Sequence, residues 1–127
     1  MKKLKKLPDT EFEVMKVVWA NDPPITTNII MEELGIERGW KAQTVNSLMR
    51  RLVGRGFLRS EKKGKERTYY PLISREEYLK FETGKFIEQY HNNSFLNLVN
   101  TLYDDALTDE DIDDLLQWVK KRRERRS

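Results

Sequence analysis

The chain has 127 residues, no cysteine and a formal net charge of +3. The absence of cysteine excludes disulfide scaffolds and thiolate metal sites, and it fits a reducing cytoplasm. No apolar run approaches the roughly 20 residues needed to span a bilayer, and the basic start leads into Leu7-Pro8-Asp9 instead of an apolar signal core, so we expect a cytoplasmic protein.

Charge is distributed unevenly along the chain. Residues 1–73 carry 15 Lys and Arg against 9 Asp and Glu, which gives +6, whereas residues 74–127 carry 9 against 12, which gives −3. A basic segment suits nucleic acid, and the acidic remainder suggests a different task. We therefore predict two domains, 1–73 and 74–127. The basic residues before Leu7 form either a solvated tail or an arm that touches DNA.

The first predicted helix begins at residues 8–11, where a proline and two acidic residues suit a helix start. Phe12, Met15 and Trp19 share one helical face, which predicts that they enter a core. Residues 21–24 end this helix, because they include two prolines.

A second helix is predicted from Thr27 to about Leu34, capped by Thr26 and preceded by a brief strand pairing of Ile25. Residues 35–39 are expected to connect it to the next helix. Thr26, Thr27 and Asn28 cluster at its N-terminus, where they either serve as caps only or lie beside free N–H groups that bind a phosphate.

The stretch from Gly39 to Gly56 predicts an amphipathic helix. Apolar residues recur on one face at i, i+3, i+4 and i+7: Val45, Leu48, Met49 and Leu52. The opposite face and its flanks carry groups that suit base edges and phosphates: Gln43, Thr44, Asn46, Ser47, Arg50 and Arg51. Taken alone, the pattern also fits an ordinary amphipathic surface helix.

A β-hairpin follows, because two short runs flank the turn Lys63-Gly64-Lys65 and the second run is rich in Thr and Tyr. Positive charge at its tip suits either simple solvation or phosphate or minor-groove contact, and it comes from Lys62, Lys63, Lys65 and Arg67. Three helices followed by a basic hairpin describe a winged helix-turn-helix whose third helix enters the major groove. We therefore predict a mainly α fold with a small β-hairpin wing.

The region after Ser74 predicts helices of a different character, with capping boxes at Ser74 and Thr108 and a break at residues 92–94. Their apolar side chains either fold back on the winged helix or pair with a second copy, and a two-fold dimer fits the reading of two half-sites. We assign the following residues to the dimerisation surface: Tyr78, Phe81, Phe86, Phe95, Leu98, Val99, Leu102, Ile112, Leu115, Leu116 and Val119.

Enzymatic chemistry finds no support in the sequence. His91 is the single histidine and lies at a predicted helix end, so we assign it a surface or capping role. The chain has no glycine-rich phosphate loop and no metal-ligand spacing, and we expect no cofactor, metal or small-molecule ligand. The alternative to a DNA-binding repressor is a winged helix used as a protein-interaction or scaffold module.

Several motifs together resemble the penicillinase and methicillin-resistance repressors, the BlaI/MecI family of winged-helix regulators. The segments that carry the resemblance are Leu7 to Trp19, Thr27-Asn28, Glu33-Leu34, Lys41 to Leu58 and Lys65 to Pro71. The resemblance implies a homodimeric repressor on a palindromic DNA operator, with a C-terminal helical dimerisation domain. It also adds Lys41 to the expected DNA contacts.

In that family, a membrane-spanning sensor metalloprotease that detects a β-lactam leads to cleavage of the repressor at an Asn–Phe bond. The matching position in this chain is Asn100-Thr101, where the Phe is absent. A copper-responsive branch of the family carries a cysteine-rich site, for which this chain has no cysteine.

Overall fold

The computed structural model describes residues 4–103 and 105–126, so the first three residues of the basic start lie outside the described part. The chain divides into two compact units, Met1–Glu82 and Thr83–Ser127. It is mostly helical with one two-stranded antiparallel sheet, which confirms the predicted fold class.

Helix α1 spans Asp9–Ala20 and contributes one face to the core of the first unit. Val14, Met15 and Val18 are buried, and Phe12 and Trp19 pack against them, as their helical spacing predicts.

Helix α2 is longer than the sequence predicts. It consists of three consecutive segments, Thr27–Ile30, the π-helical Met31–Gly35 and Ile36–Arg38. The predicted connection at residues 35–39 is therefore wrong, because Gly35 lies inside the helix. A Cβ at Gly35 would meet the Met31 sulfur at 2.7 Å, so this glycine permits close packing there. The helix ends at Gly39, with φ of 71°. Thr26 caps the other end, since its hydroxyl accepts a hydrogen bond from the Ile29 N–H.

Helix α3 spans Ala42–Gly54 and is the predicted amphipathic helix. Its buried residues are the four of the predicted stripe: Val45, Leu48, Met49 and Leu52. Beyond its end, Arg55 Nε donates to Glu11 Oε1 at 2.7 Å. Because Glu11 is only 2% exposed, this ion pair joins α1 to the end of α3 at the edge of the core.

Strands β1 (Leu58–Lys63) and β2 (Glu66–Pro71) form the predicted hairpin. Their register runs from Leu58 opposite Pro71 to Lys63 opposite Glu66, and Gly64 adopts a φ of 63° in the turn. Ile25 pairs with Tyr69 through two backbone hydrogen bonds of 2.8 and 2.9 Å, which confirms the short strand pairing.

Helix α4 spans Arg75–His91 and begins with the predicted capping box. The Ser74 hydroxyl accepts from the Glu77 N–H at 3.1 Å, and the Glu77 carboxylate accepts from the Ser74 N–H at 3.0 Å. The division between the two units falls within this helix, beyond the predicted boundary at residue 73.

Tyr78 lies at the centre of the first unit. It is fully buried, and its ring lies 5.4–6.2 Å from the rings of Phe12, Trp19, Phe57 and Phe81. Its hydroxyl accepts a hydrogen bond from the Leu7 N–H at 2.7 Å. Burial raises the pKa of Tyr78 to about 12. The assignment of Tyr78 to the dimerisation surface is thus wrong, because no part of its side chain reaches the surface.

Phe81 is partly buried against the same core. Trp19, on α1, donates from Nε1 to the Ile73 carbonyl at 2.9 Å. The start of α4 is therefore tied to α1 by aromatic packing and by a hydrogen bond, and it belongs to the winged-helix unit.

The second unit contains the end of α4, α5 (Phe95–Tyr103) and α6 (Asp109–Arg126). The break at residues 92–94 is confirmed, with positive φ at Asn92 and Asn93. The second capping box is confirmed as well, because Thr108 and Asp111 exchange hydrogen bonds of 2.9 and 3.1 Å.

The predicted surface position of His91 is wrong, because the residue is only 8% exposed. Its Nδ1 lies 2.6 Å from Asn97 Oδ1, and the Phe86 ring lies 5.4 Å from its own. His91 therefore links α4 to α5 within the second unit.

Candidate nucleic-acid interface

An open groove in the first unit brings together the start of α2, the outer face of α3 and the hairpin. Eight residues predicted to bind DNA line it: Thr26, Thr27, Gln43, Asn46, Ser47, Arg50, Lys65 and Arg67. The groove is polar, and three of its charged side chains are cationic (Arg50, Lys65 and Arg67) against the single carboxylate of Glu66. Such a surface attracts an anionic polymer.

The outer face of α3 is uncovered in the first unit. Gln43 and Arg50 are exposed and Ser47 is half-buried, as expected for positions opposite the buried stripe. Arg50 Nη2 lies 3.4 Å from Ser47 Oγ, which is a long hydrogen bond. Among the described residues, no carboxylate lies within ion-pair distance of Arg50. Its guanidinium can therefore reach a ligand without first breaking an ion pair.

One hydrogen bond joins the start of α2 to α3 across the groove. The Thr27 hydroxyl donates to Asn46 Oδ1 at 2.9 Å. Thr26 is occupied differently, since its hydroxyl caps α2. The two adjacent threonines thus have distinct structural tasks.

The hairpin presents a cationic side chain to the groove in a fixed position. Arg67 Nη1 donates to Ser60 Oγ at 3.1 Å, across the two strands. Lys62 lies directly opposite Arg67 in the register and therefore shares its face. Lys63 is one residue further along and projects from the other face, where its charge helps lower the pKa of Glu61.

Arg59 is held away from the groove, on that other face. Its Nη1 donates to Glu61 at 2.7 Å, and its guanidinium lies 4.3 Å from the centre of the Tyr70 ring. The hydrogen bond from Arg59 is the main cause of the lowered pKa of the Glu61 carboxyl. An arginine that already has both partners is a poor candidate for a phosphate contact.

Four residues predicted to bind DNA do not line the groove: Lys41, Thr44, Arg51 and Lys63. At about 100° per residue, Thr44 and Arg51 fall on one flank of α3, whereas Asn46 and Val53 fall on the flank that faces the groove. Lys41 precedes the helix and, like Thr44 and Arg51, is exposed. These residues stay predicted contacts, on a surface beside the groove.

The groove also includes Asn28, which follows Thr26 and Thr27 at the start of α2, and residues that the sequence prediction did not assign: Val53, Ser60, Glu66 and Tyr69. The alternation of side chains along the strands predicts a place in the groove for Ser60, because it puts Ser60 on the same face of the hairpin as Arg67. No local signal pointed to Tyr69, whose place depends on its pairing with Ile25.

Across residues 4–103 and 105–126, no group of three or more His, Cys, Asp or Glu is placed to hold a metal ion. None of the helices described combines the length and the apolar character that a bilayer crossing requires.

A three-helix unit with a hairpin wing beside an uncovered polar third helix defines a winged-helix DNA-binding protein. The family described as penicillinase repressor matches residues 7–121. The chain therefore belongs to the penicillinase repressor family. The relatives described below are transcriptional repressors and not enzymes. The predicted resemblance is thus confirmed.

Individual relatives cover nearly the whole chain. It is 32% identical to the penicillinase repressor of Bacillus licheniformis over 99% of this chain and 98% of that protein. It is 32% identical to the methicillin resistance regulatory protein MecI of Mammaliicoccus sciuri over 88% and 91%.

Two solved structures resemble the fold. The solution structure of the DNA-binding domain of the repressor BlaI is 36% identical, with a TM-score of 0.53. The Bacillus licheniformis BlaI monomeric form in complex with the blaP half-operator is also 36% identical, with a TM-score of 0.50. Each match covers 61% of this chain and 94% of the solved chain.

Proposed function

We propose that this protein is a homodimeric transcriptional repressor that inserts α3 of each copy into the major groove of a two-fold operator. The observation that carries the proposal is the polar groove in which the outer face of α3 meets Lys65 and Arg67 of the wing. A related protein of the same fold forms a complex with an operator half-site.

The composition of this surface favours DNA over a protein partner. Protein interfaces centre on buried aromatic anchors, with charged residues depleted. The aromatic residue that lines the groove, Tyr69, is only 3% exposed and is held by the strand pairing. Amide, hydroxyl and guanidinium groups dominate instead, and these are the groups that bind base edges and phosphates.

A binding experiment separates the repressor from the scaffold. Wild-type protein is used to select from a library of randomised duplexes, and the affinity for the selected duplex is measured by fluorescence anisotropy at several salt concentrations. We expect a two-fold consensus and an affinity that falls steeply as salt increases. Binding that is weak or lacks sequence preference would leave the scaffold alternative.

The homodimer is supported by the exposure of apolar side chains in the second unit. Among the described residues of 83–127, His91 is the one buried residue. Large apolar side chains remain exposed on all three helices: Phe86, Tyr90, Phe95, Leu96, Leu102, Tyr103, Leu116, Trp118 and Val119. An apolar surface of this extent is unfavourable in water and is typical of a contact between subunits.

The proposed dimer can be tested with two adjacent substitutions. Leu116 is 62% exposed in the single chain, so Leu116→Asp breaks few contacts within it. Gln117→Asp introduces the same charge opposite the apolar stripe of α6 and serves as the control. We expect Leu116→Asp to be monomeric by light scattering and Gln117→Asp to remain dimeric. A dimeric Leu116→Asp protein would place the contact elsewhere.

The proposed release step is cleavage at Asn100-Thr101. Both residues are exposed, and the bond lies inside α5, where the Thr101 hydroxyl donates to the Asn97 carbonyl at 2.9 Å. A protease requires extended backbone, so cleavage would require unwinding of α5 first. Mass spectrometry of the repressor from host cells treated with a β-lactam tests this step. If the repressor chain stays intact in cells that have started to transcribe the repressed gene, cleavage is not the release step.

A further inference from the structure

The hydrogen bond between Thr27 and Asn46 links two residues that both line the groove. We propose that the Thr27 hydroxyl fixes the Asn46 amide so that Asn46 reads base edges with its NH2 group only, as a donor. This inference rests on the proposed DNA-binding function and specifies which chemical groups of the base the site selects.

The chemistry follows from the asymmetry of the amide. Asparagine has a carbonyl oxygen that accepts and an NH2 group that donates. A freely rotating asparagine pairs with adenine in a bidentate manner, accepting from N6 and donating to N7. In this structure Oδ1 is turned towards Thr27 and accepts a hydrogen bond from its hydroxyl, with 2.9 Å between the two oxygens. This bond uses one of the two lone pairs of Oδ1 and holds the amide in one orientation, whereas the NH2 group has no hydrogen-bond partner among the described residues and is left to meet the ligand.

A donor without an adjacent acceptor favours a particular set of base edges. Guanine presents two acceptors in the major groove, N7 and O6, and thymine presents O4. Adenine also presents an acceptor, N7, but the N6 amino group beside it is a donor and would face the Asn46 amino group unfavourably, and cytosine presents only the N4 donor. We therefore expect guanine, which presents two adjacent acceptors, in preference to adenine at the position contacted by Asn46.

Among the described residues, Asn46 is the one hydrogen-bond partner of the Thr27 hydroxyl, which suits Thr27 to this positioning role. Thr26 supplies the cap of α2, so Thr27→Val removes the hydroxyl with similar shape and leaves the cap intact. Thr27→Ser retains the hydroxyl and serves as the matched control. Asn46 is exposed on α3, so Asn46→Ala leaves the core unchanged.

The experiment repeats the duplex selection with wild type, Asn46→Ala, Thr27→Val and Thr27→Ser. Asn46→Ala identifies the base pair that Asn46 governs, since preference is lost there. At that pair we expect wild type to favour guanine over adenine by about tenfold, within the range of a base contact. Thr27→Val should admit adenine and reduce this ratio to about twofold or less, whereas Thr27→Ser should restore most of it.

The outcomes separate this inference from the proposed function. A wild-type preference for adenine at the governed pair would overturn the donor-only assignment. An unchanged ratio in Thr27→Val would remove Thr27 as a positioning residue, and loss of preference at every position in that variant would indicate a general structural role instead. If Asn46→Ala changes no single position, Asn46 contacts a phosphate and the inference fails, although the repressor function stands. If wild type selects no consensus, the proposed function itself fails.

Discussion

Replacement of Arg50 provides a direct test of whether the outer face of α3 reads bases. In the free protein this guanidinium has one long hydrogen bond, of 3.4 Å to Ser47, and no ion pair among the described residues. Replacement of Arg50 should therefore change the free energy of unfolding little, so that a loss of affinity for DNA reports the loss of a contact with DNA. A good bidentate contact with guanine contributes about 1–3 kcal/mol, which is roughly a 5- to 140-fold change in affinity.

Two variants distinguish a base contact from a phosphate contact. Arg50→Ala removes both the charge and the fork of donors, whereas Arg50→Lys retains the charge alone. If Arg50 reads a base, both variants should lose preference for the selected duplex over random duplex, as measured by anisotropy at fixed salt. If Arg50→Ala weakens both duplexes equally and Arg50→Lys binds like wild type, the residue contacts a phosphate and our reasoning about this face is refuted.

Three further predictions concern the scaffold and the wing. Arg67→Ala should flatten the salt dependence of DNA binding by about one unit, while Lys63→Ala, on the other face of the hairpin, should change it less; equal slopes would contradict this orientation of the wing. Arg55→Gln should lower the free energy of unfolding in urea by roughly 1.5–3 kcal/mol, because it leaves the Glu11 carboxylate buried without its partner. If the two residues pair, Arg55→Gln should lower the free energy of unfolding less when Glu11→Gln is already present. Burial raises the pKa of Tyr78 above its unfolded value of about 10, so the unfolded state loses this proton first and the free energy of unfolding should fall as pH rises from about 10 to 12. The free energy of unfolding of the Tyr78→Phe variant should fall less steeply over this range, and identical pH profiles would argue against a buried hydroxyl.

The elements that sequence analysis predicted correctly are those with a strong local cause. The stripe of α3 follows from a period of 3.6 residues, and both capping boxes follow from side chains that bond N–H groups three residues away. The hairpin follows from Gly64, whose positive φ is readily adopted by glycine. Such causes act within a few residues and are visible in the sequence.

The errors arose where tertiary packing decides the structure. Gly35 suggested a helix end, but the close approach of Met31 explains a glycine within a continuous helix. Tyr78 was grouped with the apolar residues of the dimerisation surface, although three rings from distant parts of the chain (Phe12, Trp19 and Phe57) pack around it. His91 has a buried hydrogen bond that no local pattern announces.

The most informative part of the site was also inaccessible to sequence patterns, because it depends on two long-range contacts. The pairing of Ile25 with Tyr69 joins the wing to the chain just before α2. Thr27 follows two residues later and reaches Asn46 on α3. The wing, the start of α2 and the outer face of α3 are thus connected through one short segment. We infer that a change in the Ile25–Tyr69 pairing would shift the wing and the Asn46 amide together, which would couple the proposed backbone contact by the wing to the proposed base selection by α3.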